Sequence, residues 1–547
     1  MFSVRRVLSA AQTSRSYIHR RIGTVGHNAS LNVDLPEKQD RKTKIICTVG
    51  PSTWDPEGIQ GLLERGMNVL RLNFSHGSHE DKSRVIADLR AVLGNIRKGH
   101  KVDFSDGSRE DICAVAADTK GPEIRTGHFK GDDTLIRLEE GQFIDLSTDP
   151  ANFDNGSSEL IYCDYKELPS EVTVGQRIFI DDGLISFTVT GIKDRRTIVC
   201  IVDNGGALGQ QKGVNIPEPF KSKLPGVTAQ DAKDLKFAAE QGVDFIFASF
   251  IRRKEDVQDV RKALGGDGKG VKIISKIENM EGCENFDEIL AESDGIMVAR
   301  GDLGIEIPQH TVFLAQKMMI SKCNIVGKPV ICATQMLESM IDNPRPTRAE
   351  SSDVANAVLD GADAIMLSGE TAKGKYPFQA VEMMAKIAKE AEVAIDYDNI
   401  FRQMRGINAK FDSLKSSFPL TLETIATSAV VASLEIDAPA IVCFSYSGSM
   451  VRAIAKYRPS CPIICVTDSE KVANSVLLHR GIIPLFIPSE DMLDLQKGMS
   501  TVMDEIKNMK LFSKPYGEER HSDTGGKLVV IGRFDVSRPL APVMTLV

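Results

Sequence analysis

From Arg41 onward, short apolar runs alternate with amphipathic stretches, a rhythm suited to repeated strand-helix units around a parallel sheet. Eight runs stand out: Lys44–Cys47, Val69–Leu72, Ala114–Ala117, Phe245–Ala248, Val271–Ile274, Gly295–Val298, Val330–Cys332 and Ala364–Leu367. Most precede a helical pattern, and eight such units predict a (β/α)8 TIM barrel. Between the third and fourth runs, segments such as Arg177–Ile180 and Thr197–Val202 alternate apolar and polar instead. They predict a β-barrel lid domain, inserted in a βα loop at the face where barrel enzymes place their chemistry.

The reading divides the chain into an N-terminal targeting or disordered segment (1–40), the barrel (41–120 and 224–398), the lid (121–223) and a C-terminal α/β domain (399–547). The last begins with a helical stretch at Leu420–Leu434, followed by strand candidates at Ile441–Phe444, Ile463–Val466, Ile483–Phe486 and Leu528–Ile531. A regulatory or assembly role fits it. The first residues are compositionally different: Arg5, Arg6, Arg15, Arg20 and Arg21 occur with several serines, and no acidic residue precedes Asp34. Val4, Val7 and Leu8 share a helical face, so the segment reads as a mitochondrial presequence, with a basic arm on a cytoplasmic enzyme as the alternative.

With 67 basic and 75 acidic residues in 547, the chain is mildly acidic, which argues against nucleic acid as a partner and requires any anion site to be local. The ten cysteines show no CxxC pairs, which suits a reducing compartment rather than a disulfide framework or a zinc site. No run is long and apolar enough to span a membrane.

In a TIM barrel the residues that end the strands are the ones placed for chemistry. Here they are polar: Arg71, Asn73 and Ser75 after the second run, Asp118 and Thr119 after the third, Lys276 and Glu278 after the fifth, Asp302 after the sixth, Thr334 after the seventh and Ser368 after the eighth. Each alone could be a cap or a surface residue; convergence from six strands on one rim points to a site. Glu278 and Asp302, without His or Cys, suit a hard divalent cation with positions left for phosphate and water. Lys276, two residues before Glu278, shares its face in an extended segment and sets positive charge beside that cation. Ala299-Arg300-Gly301, just past a strand, could open a helix whose free N–H groups hold a carboxylate. The set lacks a nucleophile with its base, as phosphoryl transfer would.

Arg71-Leu72-Asn73-Phe74-Ser75-His76-Gly77, Asp118 to Gly127, Ile274 to Asn279, Met297 to Gly304 and Thr334 to Met340 resemble the signatures of the pyruvate kinase family, in order, from about Lys42 to Glu390. The resemblance implies transfer of the phosphoryl group of phosphoenolpyruvate to ADP, giving pyruvate and ATP. It implies that Arg71 contacts the phosphoryl group, that Lys276 stabilises the bridging oxygen, and that Glu278 and Asp302 hold Mg²⁺ or Mn²⁺. Asn73, Ser75, Asp118 and the Thr119 carbonyl would surround K⁺; Ala299, Arg300, Gly301 and Thr334 would meet the substrate carboxylate; Asn73, His76, Arg125 and Lys212 would face the nucleotide. Thr334 and Ser368 are both candidates for relaying a proton to the enolate. Glu123 matches potassium-dependent members, where potassium-independent ones carry lysine.

Ser445, Ser447, Gly448 and Ser449 form a candidate phosphate nest ahead of a helix carrying Arg452 and Lys456, and resemble the effector loop of sugar-bisphosphate-regulated members, although Gly532 to Pro539 matches poorly. The rigid loop Asn343 to Arg348 resembles a segment that meets a neighbouring barrel in a homotetramer. The departures are a longer, polar insertion from Gly99 to Asp111, and Gln211 where many relatives have a second lysine. The competing readings are a metal-dependent TIM-barrel aldolase or lyase and a non-catalytic assembly protein on this fold. An aldolase would not need Arg71, Arg125 or the potassium set, and a scaffold would be expected to have lost Lys276, Glu278 or Asp302.

Overall fold

The computed structural model describes residues 23–33, 41–98, 111–131, 133–217, 223–407, 416–493, 495–508, 527–532 and 543–546. Arg5 to Arg21, expected to belong to a presequence, most of the insertion after Lys98 and the segment following Gly532 lie outside these. Strands β1 (Lys44–Thr48), β2 (Val69–Asn73) and β3 (Ala114–Asp118) precede the lid strands β4 (Leu135–Leu138), β5 (Phe143–Ser147), β6 (Leu160–Tyr162), β7 (Arg177–Ile180), β8 (Ile185–Ile192), β9 (Thr197–Asn204), β10 (Gly206–Gly209) and β11 (Val214–Asn215). The barrel resumes with β12 (Phe245–Ala248), β13 (Lys272–Ile277), β14 (Gly295–Ala299), β15 (Val330–Ala333) and β16 (Ala364–Leu367). The eight barrel strands close in the order β1-β16-β15-β14-β13-β12-β3-β2, all parallel.

All eight expected runs are barrel strands. The largest difference is in the fifth: β13 starts at Lys272 and continues through Lys276 to Ile277, so that Lys276 lies within the strand rather than after it. Side chains alternate across a strand, so each strand lines both the inside of the barrel and the surface under the helices. Ile46, Val69, Ala114, Ala116, Phe245, Phe247, Ile274, Met297, Ile331, Ala364 and Met366 pack as one buried group inside. Their chain neighbours Ile45, Cys47, Leu70, Val115, Ile246, Ile273, Ile296 and Val330 pack outward with the helices.

The lid forms a six-stranded sheet, β11-β7-β8-β9-β5-β6, and a β4-β10 pair around Leu146, Ile178, Phe187, Ile198 and Val202. The C-terminal sheet has the order β19-β18-β17-β20-β21, from Ile482–Phe486, Ile463–Thr467, Ile441–Phe444, Val529–Gly532 and Val543–Leu546. It docks on the end of the barrel away from the lid. Leu477 and Leu478 join the barrel's inner cluster, Arg458 Nη1 meets Asp363 Oδ1 at 2.9 Å, and Lys44 Nζ donates to the Ile482 carbonyl at 2.6 Å. All ten cysteines are unpaired, and no described helix is long and apolar enough to cross a membrane.

Candidate active site

The period of two that fills the barrel also aims its rim. Two residues beyond inward-facing Val69 stands Arg71, beyond Ala116 Asp118, beyond Phe247 Ser249, beyond Ile274 Lys276 and beyond Met366 Ser368. The polar residues that terminate the strands therefore share the interior. Arg71 Nε donates to Asp118 Oδ2 at 2.6 Å and its Nη1 to Thr48 Oγ1 at 2.7 Å. Lys276 Nζ lies 3.2 Å from Asp118 Oδ1 and 3.0 Å from Glu278 Oε1. Arg71, Asp118, Lys276 and Glu278 thus form a line of alternating charge, all nearly sealed from solvent.

Burial alone would raise the Asp118 carboxyl, but the charges of Arg71 and Lys276 outweigh it and hold it below the usual carboxylate range. Burial likewise opposes the Lys276 ammonium, and Asp118 and Glu278 more than compensate, raising it above an ordinary lysine. Glu278 and Asp302 are left short of positive charge. Burial pushes Glu278 up to about 7 against the pull of Lys276, and Asp302 to about 6, with Glu123 and Asp182 adding repulsion. Two oxygen-only side chains from the ends of neighbouring strands, each deficient in countercharge, fit a hard divalent cation. Among the described residues no group of three or more His, Cys, Asp or Glu is placed to hold a metal ion, so a cation on Glu278 and Asp302 would keep positions for substrate and water.

The expected potassium set meets at the ends of β2 and β3. Asn73 is the register partner of Asp118, Asn73 Oδ1 accepts the Ser75 amide at 3.0 Å, and the Phe74 amide donates to the Asp118 carbonyl at 2.9 Å. Thr119 follows directly, and its carbonyl accepts from Ser249 Oγ at 2.7 Å.

Thr334 has φ 73°, a left-handed conformation that a β-branched residue rarely takes, and Gln335 follows at 54°. Arg300 holds this turn from behind: its guanidinium reaches the carbonyls of Ala333 (3.3 Å) and Thr334 (2.8 Å) and forms a fork with Asp353 at 2.7 Å on both arms. Its side chain is therefore occupied away from the cavity, and a role for Ala299, Arg300 and Gly301 toward a carboxylate falls to their main chain. A Cβ at Gly301 would lie 2.8 Å from Thr334 Cγ2, so glycine is what lets the two segments meet. Ser368 directly precedes the short helix Gly369–Ala372 without a side-chain cap hydrogen bond, and its amide donates to Glu370 Oε2 at 2.8 Å.

Between rim and lid lies a cavity of about 460 Å³, lined by His76, Glu123, Arg125, Lys212 and Asp302 together with Asp181, Asp182 and Lys373. The nucleotide candidates His76, Arg125 and Lys212 are thus gathered over Asp302. Arg125 pairs with Glu123 at 2.5 Å and donates to the Gln211 carbonyl at 2.8 Å, and Lys212 pairs with Asp181 at 2.9 Å. Burial, with Arg125 and Lys82, lowers the His76 imidazole below its ordinary range. Asn215 Nδ2 donates to Glu306 Oε1 at 3.0 Å and fastens lid to barrel.

Residues 40–381 match the family model of the pyruvate kinase barrel domain, and residues 423–534 that of its alpha/beta domain. The chain belongs to the pyruvate kinase family. It is 46% identical to the pyruvate kinase of Leishmania mexicana over 85% of this chain and 89% of that protein. It is 48% identical to the human pyruvate kinase PKLR over 84% of this chain and 77% of that protein, and 49% identical to the pyruvate kinase of Agaricus bisporus over 84% of each. Against this pyruvate kinase frame, the residues the sequence reading passed over are Thr48, Ser249, Asp353 and Lys373. Thr48 ends the first strand and Ser249 follows the fourth, so the strand-end rule applied to all eight would have found both.

Asp302→Asn keeps the shape of this pyruvate kinase side chain and removes its charge. The apparent Mg²⁺ affinity in titrations of activity should fall by roughly tenfold or more, while the fold persists. Unchanged Mg²⁺ affinity would remove Asp302 from the divalent site.

Proposed function

We propose that the chain carries out the family reaction at this rim, moving the phosphoryl group of phosphoenolpyruvate to ADP with Lys276, Arg71, Glu278 and Asp302 as its working residues. The supporting observation is the buried Arg71-Asp118-Lys276-Glu278 line beneath a cavity bounded by Asp302 and by the nucleotide candidates. Arg71 and Lys276 offer fixed positive charge to the transferring group, and their carboxylate partners hold them in position without solvent reorganisation. Mg²⁺ or Mn²⁺, held by Glu278 and Asp302, would supply further charge neutralisation. A K⁺ ion would fit Asn73, Ser75, Asp118 and the Thr119 carbonyl, an all-oxygen set. Thr334 or Ser368 would pass a proton, through water, to the enolate carbon to give pyruvate. A coupled assay for pyruvate from phosphoenolpyruvate and ADP tests the reading, and its absence with Mg²⁺ and K⁺ present would overturn it.

Three further features belong to this reading. The loop from 343 to 348 is largely exposed, and Thr347 begins the next helix through a capping box with Glu350, a rigid surface suited to a second copy in a homotetramer. Ser445, Ser447, Gly448 and Ser449 would receive a phosphorylated effector; Gly448 has φ 71°, and Arg452 approaches the Ser447 carbonyl at 3.2 Å. Residues 1 to 35 would direct the protein to mitochondria through their basic composition, with no acidic residue before Asp34. A fluorescent protein fused behind them should enter mitochondria, and Arg5→Glu with Arg6→Glu should leave it cytosolic. A diffuse signal from the unmutated fusion would refute targeting.

A further inference from the structure

Strand β12 ends at Ala248, and the two residues after it are bound to different parts of the site. The Ser249 side chain is buried; its Oγ donates to the Thr119 carbonyl at 2.7 Å, lies 3.3 Å from Asp118 Oδ1, and accepts from Lys276 Nζ at 2.7 Å. Its amide donates to Thr119 Oγ1 at 3.1 Å. The next amide, that of Phe250, donates to Glu278 Oε2 at 2.5 Å. An ammonium has three N–H donors, and those of Lys276 are matched by three oxygens: Asp118 Oδ1, Glu278 Oε1 and Ser249 Oγ. Two of these are carboxylates; Ser249 is the neutral member and the only one that also grips a main-chain carbonyl of the proposed potassium set.

The corner is built for this contact. Phe250 stands at φ 56°, a conformation that a bulky residue adopts only where its surroundings impose it, and one that turns its amide toward Glu278. The facing segment accommodates the corner through Gly121, at φ 75°, where a Cβ would lie 2.8 Å from Ser249 Cβ and 3.0 Å from Phe250 Cδ2.

We propose that Ser249 is a positioning residue that joins the aim of the Lys276 ammonium to the Thr119 carbonyl, so that the monovalent cation and the charge on the phosphoryl group are set together. This rests on the reading of Thr119 as a potassium ligand. One hydroxyl oxygen lies between the two: rotation of Thr119 toward a cation shifts the acceptor that Lys276 uses, and loss of the cation frees both.

Ser249→Ala removes the oxygen alone, and Ser249→Cys keeps the volume with a weak donor and acceptor. Expected for Ser249→Ala is a fall in kcat of roughly tenfold or more, a KM for phosphoenolpyruvate within about threefold of wild type, and a half-saturating K⁺ concentration raised roughly fivefold or more, with Ser249→Cys in between. A readout independent of turnover is the rise in melting temperature when K⁺ replaces tetramethylammonium at equal ionic strength. The wild type should show that rise and Ser249→Ala should lose most of it, while both keep the rise produced by Mn²⁺. A purely structural role would lower all melting temperatures alike and leave the cation-specific differences intact, which would overturn the proposal. So would a fall in kcat with K⁺ half-saturation unchanged, since the hydroxyl would then serve Lys276 alone. Absence of a K⁺ effect in the wild type itself would instead show that the potassium reading of Thr119 has failed, and the link to Ser249 with it.

Discussion

Lys276→Met should yield a folded protein whose turnover is lower by roughly a hundredfold to a thousandfold, the scale of losing one preorganised charge at a transition state. Methionine has the length of the buried lysine stem and can occupy the same space between β12 and β14, so packing is largely preserved. What disappears is the countercharge for Asp118 and Glu278, at 3.2 and 3.0 Å. Glu278, already pushed up to about 7 by burial, then rises further. The sign follows: a carboxyl whose pKa is higher in the folded protein than in the unfolded chain takes up protons on folding, so stability falls as pH rises through that interval. Without divalent ion, the variant should therefore lose stability relative to wild type as pH rises above about 7, where Glu278 of the wild type has ionised and that of the variant has not. Saturating Mn²⁺ should restore it, and Mn²⁺ binding measured by calorimetry should survive at pH 8 and weaken steeply toward pH 6 as Glu278 protonates. Turnover within tenfold of wild type would exclude Lys276 from stabilising the reaction.

What the sequence made legible follows from period and position. The eight runs were visible because a parallel barrel buries both faces of each strand, which leaves continuous apolar tetrapeptides such as Phe245–Ala248. The rim was visible because polar residues end those runs and alternate inward, as Arg71, Asp118 and Lys276 do. Side-chain direction after the strand ends was not. Arg300 sits in a motif that resembles a substrate cradle, yet its guanidinium turns back onto Ala333, Thr334 and Asp353, a choice made by an oppositely charged residue on the helix Arg348–Asp360, far along the chain. The left-handed turns at Phe250 and Thr334 were also hidden, because positive φ is legible from glycine and neither residue is one. Ser249 escaped notice for a related reason. A lone serine after a strand is common, and its significance comes from Thr119 and Lys276, which reach it from two other strands.

Replacing K⁺ by tetramethylammonium at constant ionic strength should reduce activity by roughly tenfold or more, and Glu123→Lys should recover part of that loss. The structure gives the electrostatic basis. Asp118, Glu123, Glu278 and Asp302 surround a space that must also admit an anionic substrate and a nucleotide, and burial, with repulsion from neighbouring carboxylates added to it, already raises the Glu278 and Asp302 carboxyls. Arg71 and Lys276 share their charge with Asp118 and Glu278, and Arg125 shares its charge with Glu123, so these cations only partly offset the charge of incoming phosphates. A monovalent cation between Asn73, Ser75, Asp118 and the Thr119 carbonyl would relieve part of that deficit without occupying the Glu278 and Asp302 oxygens. Glu123→Lys acts on the same balance in two ways. It removes a negative charge that raises Asp302, and it releases Arg125 from its 2.5 Å pair over the cavity. Recovery should be partial, because the new ammonium would neutralise charge near the nucleotide but would not order Thr119 or, through Ser249, Lys276. The measurement is turnover of wild type and Glu123→Lys in both media at saturating Mg²⁺. Equal wild-type turnover in the two media would exclude a working monovalent site, and with it Asn73, Ser75 and Asp118 as its ligands.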